Sequence, residues 1–215
     1  VMLGLYVTKQ VPFKDIVLHG KVLDPLGKKM SKSKGNAVDP IEIADQYGAD
    51  AVRMALVYGT AFGHDQSLSH PKLQAMRNFT NKLWNIGRFV IEFAPDDAEH
   101  LDKRLEKEVK NPEDQKIIDE LDKTAKTVTR AIDSYRFHDA ADALYEFIWH
   151  EFADKYIEST KKRRAEAQPV LEYVLKTSLE LLHPFMPFLT EELWQKLTHE
   201  AKSIMLARWP ESSRG

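Results

Sequence analysis

Beyond residue 70 apolar side chains return every three or four positions, and that period confines most of the chain to amphipathic helices packed on one another. Leu73, Met76, Thr80, Leu83, Gly87, Val90 and Ile91 share one side of a helix over about 71–94. Asn111-Pro112 is a capped start for a second helix, with Ile117, Leu121, Ala125, Val128 and Ile132. A third begins near Phe137 and carries Ala140, Ala141, Leu144, Ile148, Phe152 and Tyr156. A fourth runs through Val170, Val174 and Leu182 and is broken at His183-Pro184 and Met186-Pro187. Thr190 is the expected cap of a last short helix with Leu193, Trp194 and Leu197. With 43% hydrophobic and 30% charged residues the chain can sustain such a core.

The first 70 residues differ in texture. Over 1–25 β-branched and apolar residues dominate, and Ile16, Val17 and Leu18 leading into Val22 and Leu23 predict strand or hairpin. Asp39-Pro40 opens a helix with Ile41, Ala44 and Tyr47, stopped at Gly48. Asp50 is the expected cap of the next helix, and 59–70 predicts loop with a short strand. The apolar start at Val1, without a polar run-in, is expected of a piece of a longer protein. No apolar run approaches the ~20 residues a membrane span needs, and no signal-peptide pattern stands at the start. The absence of cysteine excludes thiolate metal sites and a Cys nucleophile within these residues and suits the cytoplasm.

The run Lys28-Lys29-Met30-Ser31-Lys32-Ser33-Lys34-Gly35-Asn36 concentrates the chemistry. Residues 20–35 hold five lysines against one acid, Asp24, and Gly27 and Gly35 flank the run. A cationic loop with serine hydroxyls, followed by a helix N-terminus at Asp39, suits a polyphosphate whose charge grows during reaction.

Lys29–Ser33 spells KMSKS, and with the following KGN, DP and YGADAVRMAL it resembles the second signature motif of class I aminoacyl-tRNA synthetases. The resemblance extends over nearly the whole chain. VPFKDIVLHGKVLD, NFTNKLWNIGRFV and ALYEFIWHEFADKYIE are most similar to the valine branch, with isoleucine and leucine enzymes, or a non-catalytic tRNA-binding module, as the alternatives. The resemblance implies a mostly α fold: the end of a Rossmann-type catalytic domain with its stem-contact helices over 1–70, then an α-helical anticodon-binding bundle over 71–215. It implies that Lys29 and Lys32 contact ATP phosphates and stabilise leaving pyrophosphate, that Met30 packs toward the adenine side, and that Ser31 and Ser33 belong to the same nucleotide site. It further implies valine and tRNA(Val) as substrates, magnesium arriving with ATP and no metal held by these residues, in a cytoplasmic monomer. None of the eight histidines stands in an HxGH pattern, so the other half of such an active site is missing and this chain alone is not expected to activate an amino acid.

Residues 71–91 carry Lys72, Arg77, Lys82 and Arg88 and no acid, interleaved with Trp84, Phe89 and asparagines. Cations bind phosphates, while aromatics and amides read unstacked bases. Together with the resemblance this nominates Arg77, Asn81, Lys82, Asn85 and Arg88 for tRNA contact. Residues 155–164 add Lys155, Lys161, Lys162, Arg163 and Arg164 against Glu158, a second patch of +4. The segment 95–122 holds eleven acids and five bases and is expected to face away from RNA, so a formal net charge of -2 hides opposed patches. His150-Glu151-Phe152-Ala153-Asp154 lacks the second histidine of a HExxH zinc site, and Phe137-His138-Asp139 suits a helix start.

Overall fold

The computed structural model describes residues 1–61, 63–92, 111–197 and 201–210, with the Lys32 side chain left aside. Residues 93–110, which hold most of the acidic segment 95–122, lie outside the described residues.

Helix α1 spans Met2–Thr8 and buries none of its side chains. It replaces the strand expected at the start of the chain. Strand β1 is confined to Val22–Leu23, which pairs in parallel with β2, Gln66–Ser67. A strand needs a neighbour to satisfy its N–H and C=O groups, and within the described residues 66–67 supplies the only pairing of this kind; over 2–8 the backbone bonds to itself instead. Close approach fixes the pairing: a Cβ on Gly20 would stand 1.8 Å from the His64 carbonyl oxygen, and the Lys21 N–H donates to Asp65 Oδ1 at 2.7 Å.

Helix α2 (Pro40–Tyr47) starts as expected, with Asp39 accepting from the Ile41 N–H at 2.8 Å. Its buried residues are Ile43 and Tyr47, while Ile41 points outward. Gly48, at φ 93°, makes the bend into α3 (Ala49–Ala55). Helix α4 (His70–Ile91) buries Leu73, Met76, Phe79, Leu83, Ile86 and Val90 on one stripe. Helix α5 (Pro112–Asp133) is capped by Asn111, which accepts from the Glu113 N–H at 2.9 Å.

Helix α6 (Phe137–Glu146) runs into a wide-turn π segment, Phe147–Ile157, and then α7, Glu158–Thr160. Its core residues Ala140, Leu144, Ile148, Phe152 and Tyr156 are spaced at four throughout and are all buried. A 3.6-residue turn would rotate such a row steadily away from the core; widening the turn midway turns it back. Helix α8 (Arg164–Leu182) contributes the centre of the core, with Leu171, Val174, Leu175, Leu179 and Leu182 fully enclosed. It packs on α4, α5 and α6, while α9 (Pro187–Trp194) packs on α8, α3 and α4. Gly87 lets α4 and α9 meet, since a Cβ there would lie 2.5 Å from Leu193 Cδ2.

Two capping expectations are corrected. Asp50 does not cap its own helix: α3 starts directly after Gly48, and the buried Asp50 carboxylate instead accepts from the Phe188 N–H (3.3 Å) and Leu189 N–H (2.6 Å), at the start of α9. Thr190 accordingly does not cap α9, which starts at Pro187, and its hydroxyl donates to the Met186 carbonyl at 2.8 Å. The orphan amides of a helix start donate to any carboxylate that packing brings to them, and here a distant helix brings it. Burial pushes the Asp50 carboxyl above its ordinary range, against the pull of those two amides. Arg53 adds bonds to the carbonyls of Phe185 (3.1 Å) and Pro184 (3.0 Å). No helix among the described residues is long and apolar enough to cross a membrane.

Candidate functional site

The loop after β1 is organised around Asp24, which is only 5% exposed. Its Oδ1 accepts from the N–H groups of Leu26 (3.0 Å) and Lys28 (2.7 Å), and its Oδ2 from the Asn36 side-chain amide (2.9 Å). Its own N–H donates to the Lys28 carbonyl at 2.9 Å, closing a turn that Gly27 completes at φ 74°. The Lys28 amide, then the Asn36 amide, hold the Asp24 carboxyl below its usual range. From the far end, Asn36 Oδ1 accepts from the Ser31 N–H (2.9 Å), and Asn36 Nδ2 reaches the Lys29 carbonyl (3.2 Å). The Ser67 hydroxyl, on β2, donates to the Asp24 carbonyl at 2.5 Å.

This scaffold displays the signature residues. Lys29 and Ser33 are exposed, and Met30 and Ser31 are half-buried. The hydroxyls of Ser31 and Ser33 bond each other at 2.7 Å. Lys32–Lys34 make a 3-10 turn closed by the Lys34 N–H on the Ser31 carbonyl at 3.1 Å, and Gly35 leaves it at φ 65°. The Lys32 side chain lies outside the described residues. The one acid of the loop is therefore turned inward onto amides, while Lys28, Lys29 and Lys34 keep the surface. Sequence reasoning does not single out Asp24 and Asn36; the visible signal is that a lone acid and an asparagine stand at the two ends of a lysine run.

The five nominated RNA contacts lie along α4, but the structure separates their roles. Asn81, Asn85 and Arg88 are exposed. Arg77 is exposed and donates to the Gln46 carbonyl at the end of α2, at 2.9 Å. Lys82 is engaged: its ammonium meets Asp154 Oδ1 at 2.5 Å and lies 4.4 Å from the Trp149 ring centroid. That hydrogen bond holds the Asp154 carboxyl below its usual range, with His150 Nδ1 3.3 Å from its other oxygen. Asn78, Asn81, Lys82, Asn85 and Phe89 line a groove of about 500 Å³ against Asp154 of the π segment and Glu158 and Lys161 just beyond its end. Trp84, Asn85, Arg88 and Phe89 line a second, of about 520 Å³, with Lys196 of α9's C-terminal extension.

The second expected patch, 155–164, is divided: Lys155, Lys161 and Lys162 are exposed, while Arg163 and Arg164 are drawn into the fold. Asp114 is buried and receives Arg163 through two bonds (2.6 and 3.0 Å) and the Tyr156 hydroxyl at 2.6 Å. Arg164 lies over the Phe89 ring, 3.8 Å from its centroid, and donates to the Phe89 carbonyl. Lys155 and Lys161 pair with Glu151 (2.6 Å) and Glu158 (2.7 Å) on their own helix. Sequence counts charges without showing which of them a helix start elsewhere will claim. The loop and the grooves are joined through α2: it begins directly after the loop, and Arg77 holds its end to α4.

Comparison with known proteins gives this geometry its context. The family model for class I tRNA synthetases (I, L, M and V) matches residues 1–69, and that for the anticodon-binding domain of tRNA ligases matches residues 114–215. A valine–tRNA ligase of Carboxydothermus hydrogenoformans is 47% identical over 97% of this chain, and one of Lactobacillus johnsonii is 44% identical over 98%. The chain spans about a quarter of the length of these curated relatives (24% and 25%). In fold it is similar to an Agrobacterium radiobacter K84 LeuRS, solved as a ternary complex with tRNA and LeuAMS (TM-score 0.72, 24% identity, 91% of this chain and 23% of that one). It is also similar to a Mycobacterium tuberculosis methionyl-tRNA synthetase in complex with methionyl-adenylate (TM-score 0.61, 25% identity, 80% of this chain and 36% of that one). The chain belongs to the class I tRNA synthetases of the isoleucine, leucine, methionine and valine group.

Proposed function

We propose, with that membership as premise, that this chain is the portion of a valine–tRNA ligase that carries the KMSKS loop and the tRNA-docking helices. The whole enzyme activates valine with ATP to valyl-adenylate, releases pyrophosphate and transfers valine to tRNA(Val). The observation that carries the reading is the Lys29–Ser33 run, displayed on a loop whose ends are tied to Asp24 and Asn36, in a chain 47% identical to a valine–tRNA ligase.

In this reading Lys29 and Lys32 neutralise charge on the β- and γ-phosphates as the α-phosphorus–oxygen bond to the leaving group breaks. Ser31 and Ser33 offer hydroxyl donors, and Met30 supplies apolar contact on the adenine side. Fixed cations aimed at developing charge are the largest single source of rate in such chemistry. Among the described residues no group of three or more histidines and carboxylates could hold a metal ion; magnesium would reach the site on the phosphates of ATP. Residues 1–70 act as the catalytic side of the piece and 71–215 as the tRNA side. On α4, Arg77 and Arg88 meet RNA backbone, while Asn81 and Asn85 face an unstacked base in the groove that Lys82 and Phe89 line. The same reading takes the enzyme as a cytoplasmic monomer.

In the full-length enzyme Lys32→Ala is expected to slow ATP–pyrophosphate exchange by about 10²–10³-fold, while valine binding weakens far less. Exchange at the parent rate would overturn the assignment. For the RNA side, Arg88→Ala is expected to weaken tRNA binding and to lower the salt slope by about one counterion.

A further inference from the structure

We infer that Asp24 and Asn36 are positioning residues for the signature loop: together they hold Lys29–Ser33 in the conformation that presents its lysines to phosphate. The inference rests on the functional reading above and deepens it.

Four observations combine. First, Asp24 is a buried carboxylate inside a cationic loop, yet among the described side chains none of the hydrogen bonds it receives comes from a lysine; they come from two loop amides and from Asn36. A side chain that served only to balance charge would face an ammonium group. Second, Asn36 uses both ends of its amide. Its oxygen takes the Ser31 N–H and its nitrogen takes both Asp24 Oδ2 and the Lys29 carbonyl. The pair therefore grips the run at Lys28, Lys29 and Ser31, which are the residues that set the backbone of the signature. Third, Gly27 and Gly35 turn the chain at the two ends of the run in left-handed conformations, and the Asp24–Asn36 bond ties those two ends to each other. Fourth, the tie is anchored to the sheet, since Ser67 on β2 donates to the Asp24 carbonyl, and to α2, which starts four residues after Asn36.

The bond has a direction that can be tested. Asp24 can only accept, and the Asn36 nitrogen can only donate. Asp24→Asn has nearly the same shape, but once its oxygen takes the Leu26 and Lys28 amides it turns an NH₂ toward the NH₂ of Asn36. The reciprocal change Asn36→Asp in the same molecule restores an acceptor facing that donor and keeps an acceptor for the Ser31 N–H, giving up only the longer bond from the Asn36 nitrogen to the Lys29 carbonyl, so recovery is partial. A residue needed merely for bulk stability has no reason to obey this pairing.

The experiment uses the full-length enzyme with three variants: Asp24→Asn, Asn36→Ala and the exchanged pair Asp24→Asn/Asn36→Asp. Two quantities are read, limited trypsin cleavage after Lys28–Lys34 and steady-state ATP–pyrophosphate exchange. Each single variant is expected to be cut faster in the loop at temperatures well below its own melting transition, and to lose about 10²-fold in exchange kcat, the usual cost of a misplaced catalytic group, with the KM for valine unchanged. The exchanged pair is expected to recover at least tenfold of that loss and to regain protection. Unchanged cleavage in the single variants would overturn the clamp itself. Faster cleavage with normal exchange would overturn its positioning role. An exchanged pair no better than Asp24→Asn alone would overturn the directed bond. Failure of the underlying functional reading is a separate outcome, read from Lys32→Ala retaining parent exchange while the clamp variants still loosen the loop.

Discussion

Replacing Asp114 by alanine tests whether the second basic run is structural. Asp114 sits in the first turn of α5 with its side chain 3% exposed, and Arg163, beside the start of α8, has its side chain 17% exposed. The carboxylate receives three hydrogen bonds, two from the guanidinium and one from Tyr156. In Asp114→Ala the guanidinium keeps Glu113, at 3.5 Å and 59% exposed, as its only other ion-pair partner among the described residues, and the buried Tyr156 hydroxyl loses its acceptor. Breaking one side of a buried pair costs about 3–5 kcal/mol, because the remaining charge stays desolvated. For a chain of this size each kcal/mol is worth roughly 2–4 °C, so the melting temperature should fall by roughly 6–20 °C. Urea unfolding monitored by circular dichroism measures the loss directly. Asp114→Leu/Arg163→Met removes both charges and should recover most of it. Lys161→Ala, at an exposed i, i+3 pair, should cost less than about 0.5 kcal/mol. A loss below about 1 kcal/mol for Asp114→Ala, or a double variant no more stable than the single, would refute the reasoning and return Arg163 to the surface as a free cation.

The same geometry sets two further outcomes. Asp50→Ala leaves the first amides of α9 without their acceptor and should cost about 1–2 kcal/mol, with Asp50→Asn, which keeps one acceptor oxygen, costing less; equal losses in urea unfolding would show that the carboxylate does not cap α9. Asp24, held below its usual range by amide donors, should titrate below the ordinary ~3.9 when its carboxyl carbon is tracked by NMR. Its contribution to folding is then present above the unfolded value and lost as pH falls through the lowered one; a midpoint at or above ~3.9 would contradict the clamp.

Periodicity and the caps at Asp39 and Asn111 were readable because both are local, whereas the caps expected of Asp50 and Thr190 were not. The stripes of α4, α5 and α6, the Asp39 and Asn111 caps and the loop that carries Lys29–Ser33 each depend on residues within a few positions of one another, and the chain alone determined them. What α6 needed beyond its stripe, the wide turn over Phe147–Ile157, was implicit in the unbroken four-residue spacing. The strand expected over the first 25 residues depended on a neighbour, and only Val22–Leu23 has one. The fate of the charges was decided by packing. Asp50 reaches α9 across more than 130 residues of sequence, Lys82 meets Asp154, and Arg163 turns inward to Asp114. A hydrogen bond or ion pair forms with whatever group the fold brings within about 3 Å, and no property of a lysine run or a lone acid in sequence says which group that will be. The same holds at the signature loop: the residues that bear its chemistry stand adjacent in the chain, while the Asp24–Asn36 clamp that sets their shape exists only once the loop has folded back on itself.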